Sequence, residues 1–317
     1  MTEEIKPLVS ISCVTYNHAP FIRQCLDGFF IQKCDFDFEI LLHDDASTDG
    51  SQEIVKEYMA RYPGIIKPIF QIENQYSKGV RSMSMTFNAP RAKGKYIALC
   101  EGDDYWTDPL KLQKQVTVLQ SLTDVSMVFH SAKVLGEDGF ATNISLARKV
   151  EDRSYSGEEI LNLWTVPTAS VLFRKSCITN KTITRLLNKN YIYGDIILFL
   201  SLAECGHLMG ISDIMSVYRR HGSGVLLMEA KIKGVNRNYI NHHEEMSKDF
   251  NGKYKVLNHA YISNHYYLAL NKNESLLKIL KYLYYFNKHT FISSKKLFFS
   301  IYHLKVNIQC AITNIVQ

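Results

Sequence analysis

Residues 95–115 read KYIALCEGDDYWTDPLKLQKQ, and the fold follows from how this stretch is punctuated. The apolar run 96–100 is β-compatible and lies between Gly94 and Gly102, which predicts a buried strand. Directly after it come Glu101, Asp103 and Asp104, three carboxylates at the point where the strand leaves the core. In an open α/β sheet that edge is where ligands bind. Carboxylates this close repel one another, and a hard divalent cation, Mg2+ or Mn2+, relieves the repulsion while keeping positions open for substrate phosphate. A solvated acidic turn before a helix, with Asp108 as N-cap and Pro109 at the first helical position, accounts for the same residues without a metal. The two readings are compatible.

The same alternation runs upstream. Residues 8–15, LVSISCVT, form a β-rich run ending in Tyr16-Asn17-His18, and residues 21–30 then place Phe21, Cys25, Leu26, Phe29 and Phe30 on one helical face. Residues 38–42, FEILL, lead into Asp44, Asp45, Ser47 and Asp49, followed by a helix with Ile54, Val55, Tyr58 and Met59 on its apolar side. Strand and helix in turn, with polar residues at each strand's C-terminal end, predict an α/β fold with a mostly parallel sheet. Ser47 and Asp49 suit helix capping, whereas the paired Asp44 and Asp45 exceed that need. A carboxylate there can accept the imide N–H of uracil or a ribose hydroxyl, or the segment is a plain capping loop. A third run, 65–72, precedes Lys78 and Arg81, which either face phosphates or are solvated surface charge.

The ordered set VSISCVTYNHAPFIRQCLDGFF, FEILLHDDASTDGSQEIV, NQYSKGV and AKGKYIALCEGDDYWTDPLKLQKQ resembles the nucleotide-binding half of family 2 glycosyltransferases with the GT-A fold. The resemblance is specific over residues 8–120 and looser to about residue 225. It implies that Thr15, Tyr16 and Asn17 line a nucleotide pocket, that Asp45 contacts the base with Asp44 beside it, and that Asp103 and Asp104 hold ribose and metal. Glu101 stands where the family usually has Asp, one methylene shorter.

Downstream, Asp195 opens an apolar helical run through Ala203 after Tyr193-Gly194. On its own it is a first-turn or N-cap carboxylate favoured by the helix dipole. The resemblance makes it the general base that takes the acceptor hydroxyl's proton. The segment SVYRRHGSGV, 216–225, carries Arg219, Arg220 and His221. In many relatives a similar segment closes over the diphosphate, with His on the metal and Arg on the leaving group's charge. The alternative is surface arginines beside an ordinary histidine. Trp164 is either a sugar-stacking floor or a core tryptophan.

The 317 residues are 46% hydrophobic, enough for a large core. Seven cysteines without a CxxC pair or zinc spacing are expected to be reduced core residues of a cytoplasmic protein. The chain begins without a signal-type apolar core, and no apolar run reaches the roughly 18 residues a membrane span needs. Of the net charge of +6, residues 231–317 carry 13 Lys and Arg against 4 Asp and Glu, so the first part is mildly acidic. No nucleic-acid motif is present there. The basic tail, with expected helices at 261–270, 276–286 and 297–304, either lies on an anionic membrane surface, peripheral on its inner face, or packs on the catalytic domain or a second copy.

The sequence therefore predicts a catalytic domain over residues 1–228, with a nucleotide-binding half at 1–120 and an acceptor half at 121–228, and a basic helical region at 229–317. The expected activity is inverting transfer of a sugar from a nucleotide-diphosphate donor, a UDP-sugar, to a hydroxyl of a glycan or lipid-linked glycan. A nucleotidyltransferase of similar architecture is the enzymatic alternative, although a basic, Gly-rich triphosphate loop after the first strand is replaced by TYNHAPF. A catalytically silent nucleotide-binding scaffold is the alternative from another class.

Overall fold

The computed structural model of the chain describes residues 6–136, 141–142, 149–163, 166–188, 191–221, 235–270 and 276–293. The chain divides into two compact units, residues 1–189 with 194–222, and residues 190–193 with 223–317.

The first unit is built on a mixed, mostly parallel sheet. Strands β1 (Val9–Thr15), β2 (Phe38–Asp44), β3 (Ile66–Phe70) and β4 (Tyr96–Glu101) are parallel in the order β3-β2-β1-β4. β1 and β4 are buried along nearly their whole length, as the apolar and β-branched residues of these runs require for a strand covered on both faces. The chain moves outward from β1 through β2 to β3 and then returns to β4 on the other side of β1. The crevice between the carboxyl ends of β1 and β4 is thus the sheet's topological switch point.

Beyond β4 lie β9 (Leu172–Arg174), antiparallel to both its neighbours, then β6 (Val125–Leu135) and β10 (His207–Arg219), which run parallel, and β5 (Tyr105–Trp106), antiparallel on β10. The short β7 (Ala141–Thr142) and β8 (Ser154–Tyr155) pair antiparallel with β6 and β10. The expected α/β class holds, with the inserted β9 making the sheet mixed.

Helices α1 (Ile22–Phe30), α2 (Ser51–Arg61), α3 (Lys111–Ser121), α4 (Gly157–Leu163), α5 (Asn180–Leu186) and α6 (Gly194–Cys205) belong to this unit. α1 buries Ile22, Cys25, Leu26 and Phe29, an i, i+3, i+4, i+7 stripe. Its Gly28 lies against the main chain of Trp106, where a Cβ would stand 2.8 Å from both the nitrogen and the oxygen. Only a residue without a side chain lets α1 approach the acidic loop this closely. Trp106 itself is buried, with its indole N–H donating to the Ala169 carbonyl at 2.8 Å and its ring edge-on to Phe29 at 4.7 Å. Burial of an aromatic this size stabilises the loop's base by about 4–6 kcal/mol.

Two expectations are corrected. α3 starts at Lys111 rather than at Pro109, and Asp108 instead closes the preceding turn by accepting the Leu110 N–H at 2.7 Å. The cysteines are not all reduced: Cys177 and Cys205, 28 residues apart, are joined in a disulfide tying the turn after β9 to the end of α6. Only the fold brings them together, so local spacing carries no sign of the pair. Cys13, Cys25 and Cys100 are the buried free thiols expected of the core, and Cys34 is free and half-buried.

The second unit contains α7 (Arg237–Asp249), α8 (Lys255–Leu270) and α9 (Leu276–Ser293). Its small core is Ile240, Ile262 and Tyr266, joined by Val235, Tyr285 and Phe286; the unit also buries histidines, with His243 sharing a 2.8 Å hydrogen bond with the Asn258 carboxamide and His242 fully buried. The expected turn at 136–139, Trp164 and the expected helix at 297–304 lie outside the described residues, apart from residue 136. Among the described residues no helix is long and apolar enough to cross a membrane.

Candidate active site

The register of β1 against its neighbours sets the site. Thr15 pairs with Asp44 across β1–β2, and Val14 with Glu101 across β1–β4, so three central strands deliver Thr15, Asp44 and the acidic run to one edge. The first two loops are laced together there. Asn17, in the left-handed region at φ 54°, donates its main-chain N–H to Ser47 Oγ and accepts the Thr48 N–H on its side chain, both at 2.8 Å. Asn tolerates that backbone because its short polar side chain bonds locally. Asp49 accepts the Ala19 N–H at 2.8 Å, and Tyr16 is left half exposed beside the brace.

Asp44 and Asp45 are both buried but differ in role. Asp45 accepts the main-chain N–H groups of Gln75 and Tyr76 at 2.7 and 3.1 Å, which moors the loop after β3. Asp44 accepts from Ser47 and Gln52 on Oδ1, at 3.0 and 2.7 Å, while its buried Oδ2 has no hydrogen-bond partner. Of the pair, Asp44 is the one with an acceptor to spare. Lys78 and Arg81 belong to the moored loop: Lys78 pairs with Glu73, and Arg81 lies 4.4 Å over the Tyr76 ring, bonded to the Tyr76 and Val80 carbonyls.

The acidic corner is assembled from β4, β5 and the end of β10. Pairing of Trp106 with Ser216 and Tyr105 with Val217 carries Tyr218, Arg219 and His221 past Asp103 and Asp104. The Arg219 N–H donates to Asp104 Oδ1 at 2.9 Å, and His221 Nε2 lies 2.9 Å from Asp103 Oδ2. The Arg219 guanidinium is committed to the Asp103 carbonyl and the Gln24 side chain, and stacks between Tyr105 and Phe21 at 4.4 and 5.1 Å. It buttresses the loop. Arg220 is exposed, and its N–H closes the sheet on the Leu135 carbonyl at 2.8 Å.

Burial pushes the Asp104 carboxyl well up, with the charges of Asp103 and Glu101 adding to it. Asp103 moves the other way: burial raises it, but the hydrogen bond to His221 and the charge of His18 outweigh that and hold it low. Glu101 reaches solvent at the mouth of the crevice yet is surrounded by protein mass, and this desolvation, followed by the charges of Asp103 and Asp195, lifts it to about 8. That coupling also locates Asp195. The carboxyl in the first turn of α6 is near enough for its charge to raise Glu101, and burial raises Asp195 as well. Beside it lies an apolar notch lined by Ile160, Val166, Ile196 and Phe199.

A divalent cation fits this donor set. Buried Asp103 Oδ1, Asp104 Oδ2 and Thr15 Oγ1 have no hydrogen-bond partner, a costly condition that a cation or its ligands relieve. One oxygen from each of Glu101, Asp103 and Asp104 lies within 4.8 Å of the others, as do donor atoms of His18, Asp103 and His221.

Two residues at the corner are not singled out by sequence. His18 Nε2 stands 3.7 Å from Asp103 Oδ2, and the Tyr218 phenol is raised by burial and then by Asp104, Glu101 and Asp103. Tyr218 enters the sequence reading only as the tyrosine at the head of Arg219, Arg220 and His221 in the segment 216–225.

Comparison with known proteins agrees with this architecture. The family model described as "Glycosyl transferase family 2" matches residues 10–184. An uncharacterized protein of Mycobacterium tuberculosis is 36% identical over 217 residues, covering 68% of this chain and 60% of that protein. An uncharacterized glycosyltransferase of Nostoc sp. is 28% identical over 219 residues, covering 68% of this chain and 65% of the relative. The chain thus matches less than two thirds of the length of these relatives. Among solved structures, S. aureus TarS in complex with UDP-GlcNAc superposes with a TM-score of 0.56 at 17% identity, covering 89% of this chain and 72% of that one. Strand order, switch-point acidic corner and family match lead to one assignment: the chain belongs to glycosyl transferase family 2 and has the GT-A fold.

Proposed function

We propose that the chain is a metal-dependent inverting glycosyltransferase that moves a sugar from a UDP-sugar to a hydroxyl of a glycan or lipid-linked glycan, in surface polysaccharide or related glycan synthesis. The observation that carries the reading is the acidic corner at the switch point, where β1 and β4 bring Thr15 and the acidic run to one edge with buried oxygens of Asp103 and Asp104 unpartnered; the Asp195 charge reaches Glu101 there and supports it as the base. On this reading residues 1–120 hold the nucleotide, 121–228 present the acceptor, and 229–317 form a basic helical accessory region.

Thr15, Tyr16 and Asn17 border the nucleotide, with Asp44 and Asp45 at the base. Asp103, Asp104 and His221 would hold Mn2+ or Mg2+, which supplies neutralisation of the charge that develops on the departing diphosphate. Asp195 accepts the proton of the acceptor hydroxyl as its oxygen attacks the anomeric carbon from the face opposite the diphosphate, and the anomeric C–O bond to the diphosphate breaks. One bond forms and one breaks at the same carbon, so configuration inverts. A base raised by burial suits this task, because proton affinity grows with the raised value. The bound UDP-GlcNAc of TarS belongs to a fold neighbour and is consistent with a nucleotide-sugar donor.

The test is UDP release from a panel of UDP-sugars with glycan and lipid-linked acceptors, with and without Mn2+. Metal-dependent UDP release with an acceptor present is expected. Pyrophosphate release from a nucleoside triphosphate and a sugar phosphate would favour a nucleotidyltransferase instead, and binding of UDP without any turnover would favour a silent scaffold.

A lipid-linked acceptor is favoured by one feature of α9. Leu280, Tyr284 and Phe291 are 58%, 64% and 72% exposed, and helical spacing puts them within about 40° of one another with Lys281 and Lys288 at their border. An apolar, aromatic stripe edged with lysine is the pattern of a helix that rests on an anionic lipid surface.

A further inference from the structure

We propose that His18 is a second imidazole ligand of the metal site, so that it joins Asp103, Asp104 and His221 on the cation and a transition-metal dication such as Mn2+ is selected over Mg2+. This rests on the reading that the acidic corner binds a divalent cation.

The geometry brings three loops to one atom. Asp103 Oδ2, after β4, lies 2.9 Å from His221 Nε2, after β10, and 3.7 Å from His18 Nε2, after β1. The three donor atoms all fall within 4.8 Å of one another. Donors that share one ion at about 2.0–2.3 Å are separated by at most about 4.6 Å. The set therefore needs only a small inward shift to share one ion.

Independent of the histidines, the floor of the same corner contains polar atoms with nothing to bond. Asp104 is 1% exposed and Thr15 is fully buried, and Asp104 Oδ2, Thr15 Oγ1 and Asp103 Oδ1 lack hydrogen-bond partners. His18 Nδ1 is buried without a partner too. Buried polar atoms left this way cost free energy unless a ligand or its water shell completes them.

His18 is also built in. Its main-chain N–H donates to Ser51 Oγ at 3.0 Å, and its carbonyl accepts the N–H groups of Phe21 and Ile22 at 2.8 Å each, at the start of α1. The imidazole passes over Gly102, where a Cβ would lie 3.0 Å from Nδ1 and 2.7 Å from Thr15 Oγ1. The glycine between Glu101 and Asp103 thus clears the space that His18 occupies. The two rings meet edge to face at 6.2 Å, and His221 also packs on Phe21 at 5.0 Å.

The donor chemistry sets the preference. Mg2+ favours an all-oxygen shell and retains water, whereas first-row transition ions take imidazole nitrogen more readily, Mn2+ the least so of the series. Each imidazole in the set moves the balance away from Mg2+.

The experiment is pulsed electron paramagnetic resonance on Mn2+ bound to the full chain with UDP, together with Mn2+ and Mg2+ titrations of wild type and His18→Gln. Couplings from two imidazole nitrogens are expected in the wild type and from one in His18→Gln, with Mn2+ binding weakened at least about tenfold and Mg2+ binding little changed. The wild-type nitrogen count is decisive even if the variant does not fold. A single coupled imidazole that persists in His18→Gln, with Mn2+ affinity intact, overturns the assignment of His18 while leaving the metal corner standing. Absence of Mn2+ and Mg2+ binding overturns both.

Discussion

Asp103 and Asp45 are both strand-end carboxylates, yet the structure uses them in opposite ways. Asp103 meets His221 on one oxygen and keeps the other buried without a partner, which is the state of a ligand-binding group. Asp103→Asn removes a charge and a donor oxygen, so Mn2+-dependent UDP binding is expected to weaken at least tenfold, about 1.4 kcal/mol. Isothermal titration reads this directly, and unchanged metal-dependent binding would remove Asp103 from the site. Asp45 instead accepts two main-chain N–H groups of the loop after β3. Asp45→Ala strands both donors, at an expected cost of about 2–5 kcal/mol in a denaturant titration. A loss below roughly 0.5 kcal/mol would show that the mooring is not energetic. At this scale the sequence discloses residue type and strand end but not partner. DDAS reads the same whether a carboxylate faces ligand or holds a loop, and the Arg219 side chain turns to the Asp103 carbonyl and Gln24 for reasons that lie 116 and 195 residues away.

The elements around the site were legible where their periodicity is local. β1, β2 and β4 are continuous apolar runs ended by polar residues, and α1 shows its buried stripe in four letters, Ile22, Cys25, Leu26 and Phe29. The position of β9 in the sheet was not legible, because its place between β4 and β6 is fixed by pairing with residues about 75 and 45 positions away rather than by its own three residues. The close approach of α1 to β5 is likewise a tertiary fact recorded in one glycine. Gly28→Ala sets a methyl against the Trp106 main chain, and a loss of about 1–3 kcal/mol is expected, with α1 and the acidic loop displaced together. A melting temperature equal to wild type would show that the approach can relax freely. For α9, sedimentation with vesicles of anionic lipid is expected to pull down wild type and to fail for a Lys281→Glu, Lys288→Glu double variant. Equal binding to neutral vesicles by both would exclude the charged stripe as the contact.

At the scale of the whole molecule, the two units answer to different chemistry. The helical unit buries neutral histidines: burial lowers His243 to about 4, against its bond to Asn258, and burial followed by His289 lowers His259 to about 4. The unfolded chain protonates such groups near 6.5, so between these values it binds more protons than the folded unit. Stability from these groups is therefore full above about pH 6.5 and is lost as pH falls toward 4. The protection factors of the α7–α9 amides, with the pH dependence of intrinsic exchange divided out, are expected to fall across that window, and constant protection factors would contradict it. In the proposed mechanism the first unit carries the chemistry, and the central claim is that Asp195 is the base for a donor held at the acidic corner. Turnover and donor affinity of Asp195→Asn, measured side by side, test it most directly. The account predicts UDP-sugar binding within a few-fold of wild type and a loss of roughly 100- to 10,000-fold in acceptor-dependent UDP release. Unchanged turnover in Asp195→Asn, with the variant folded and donor bound, would contradict it.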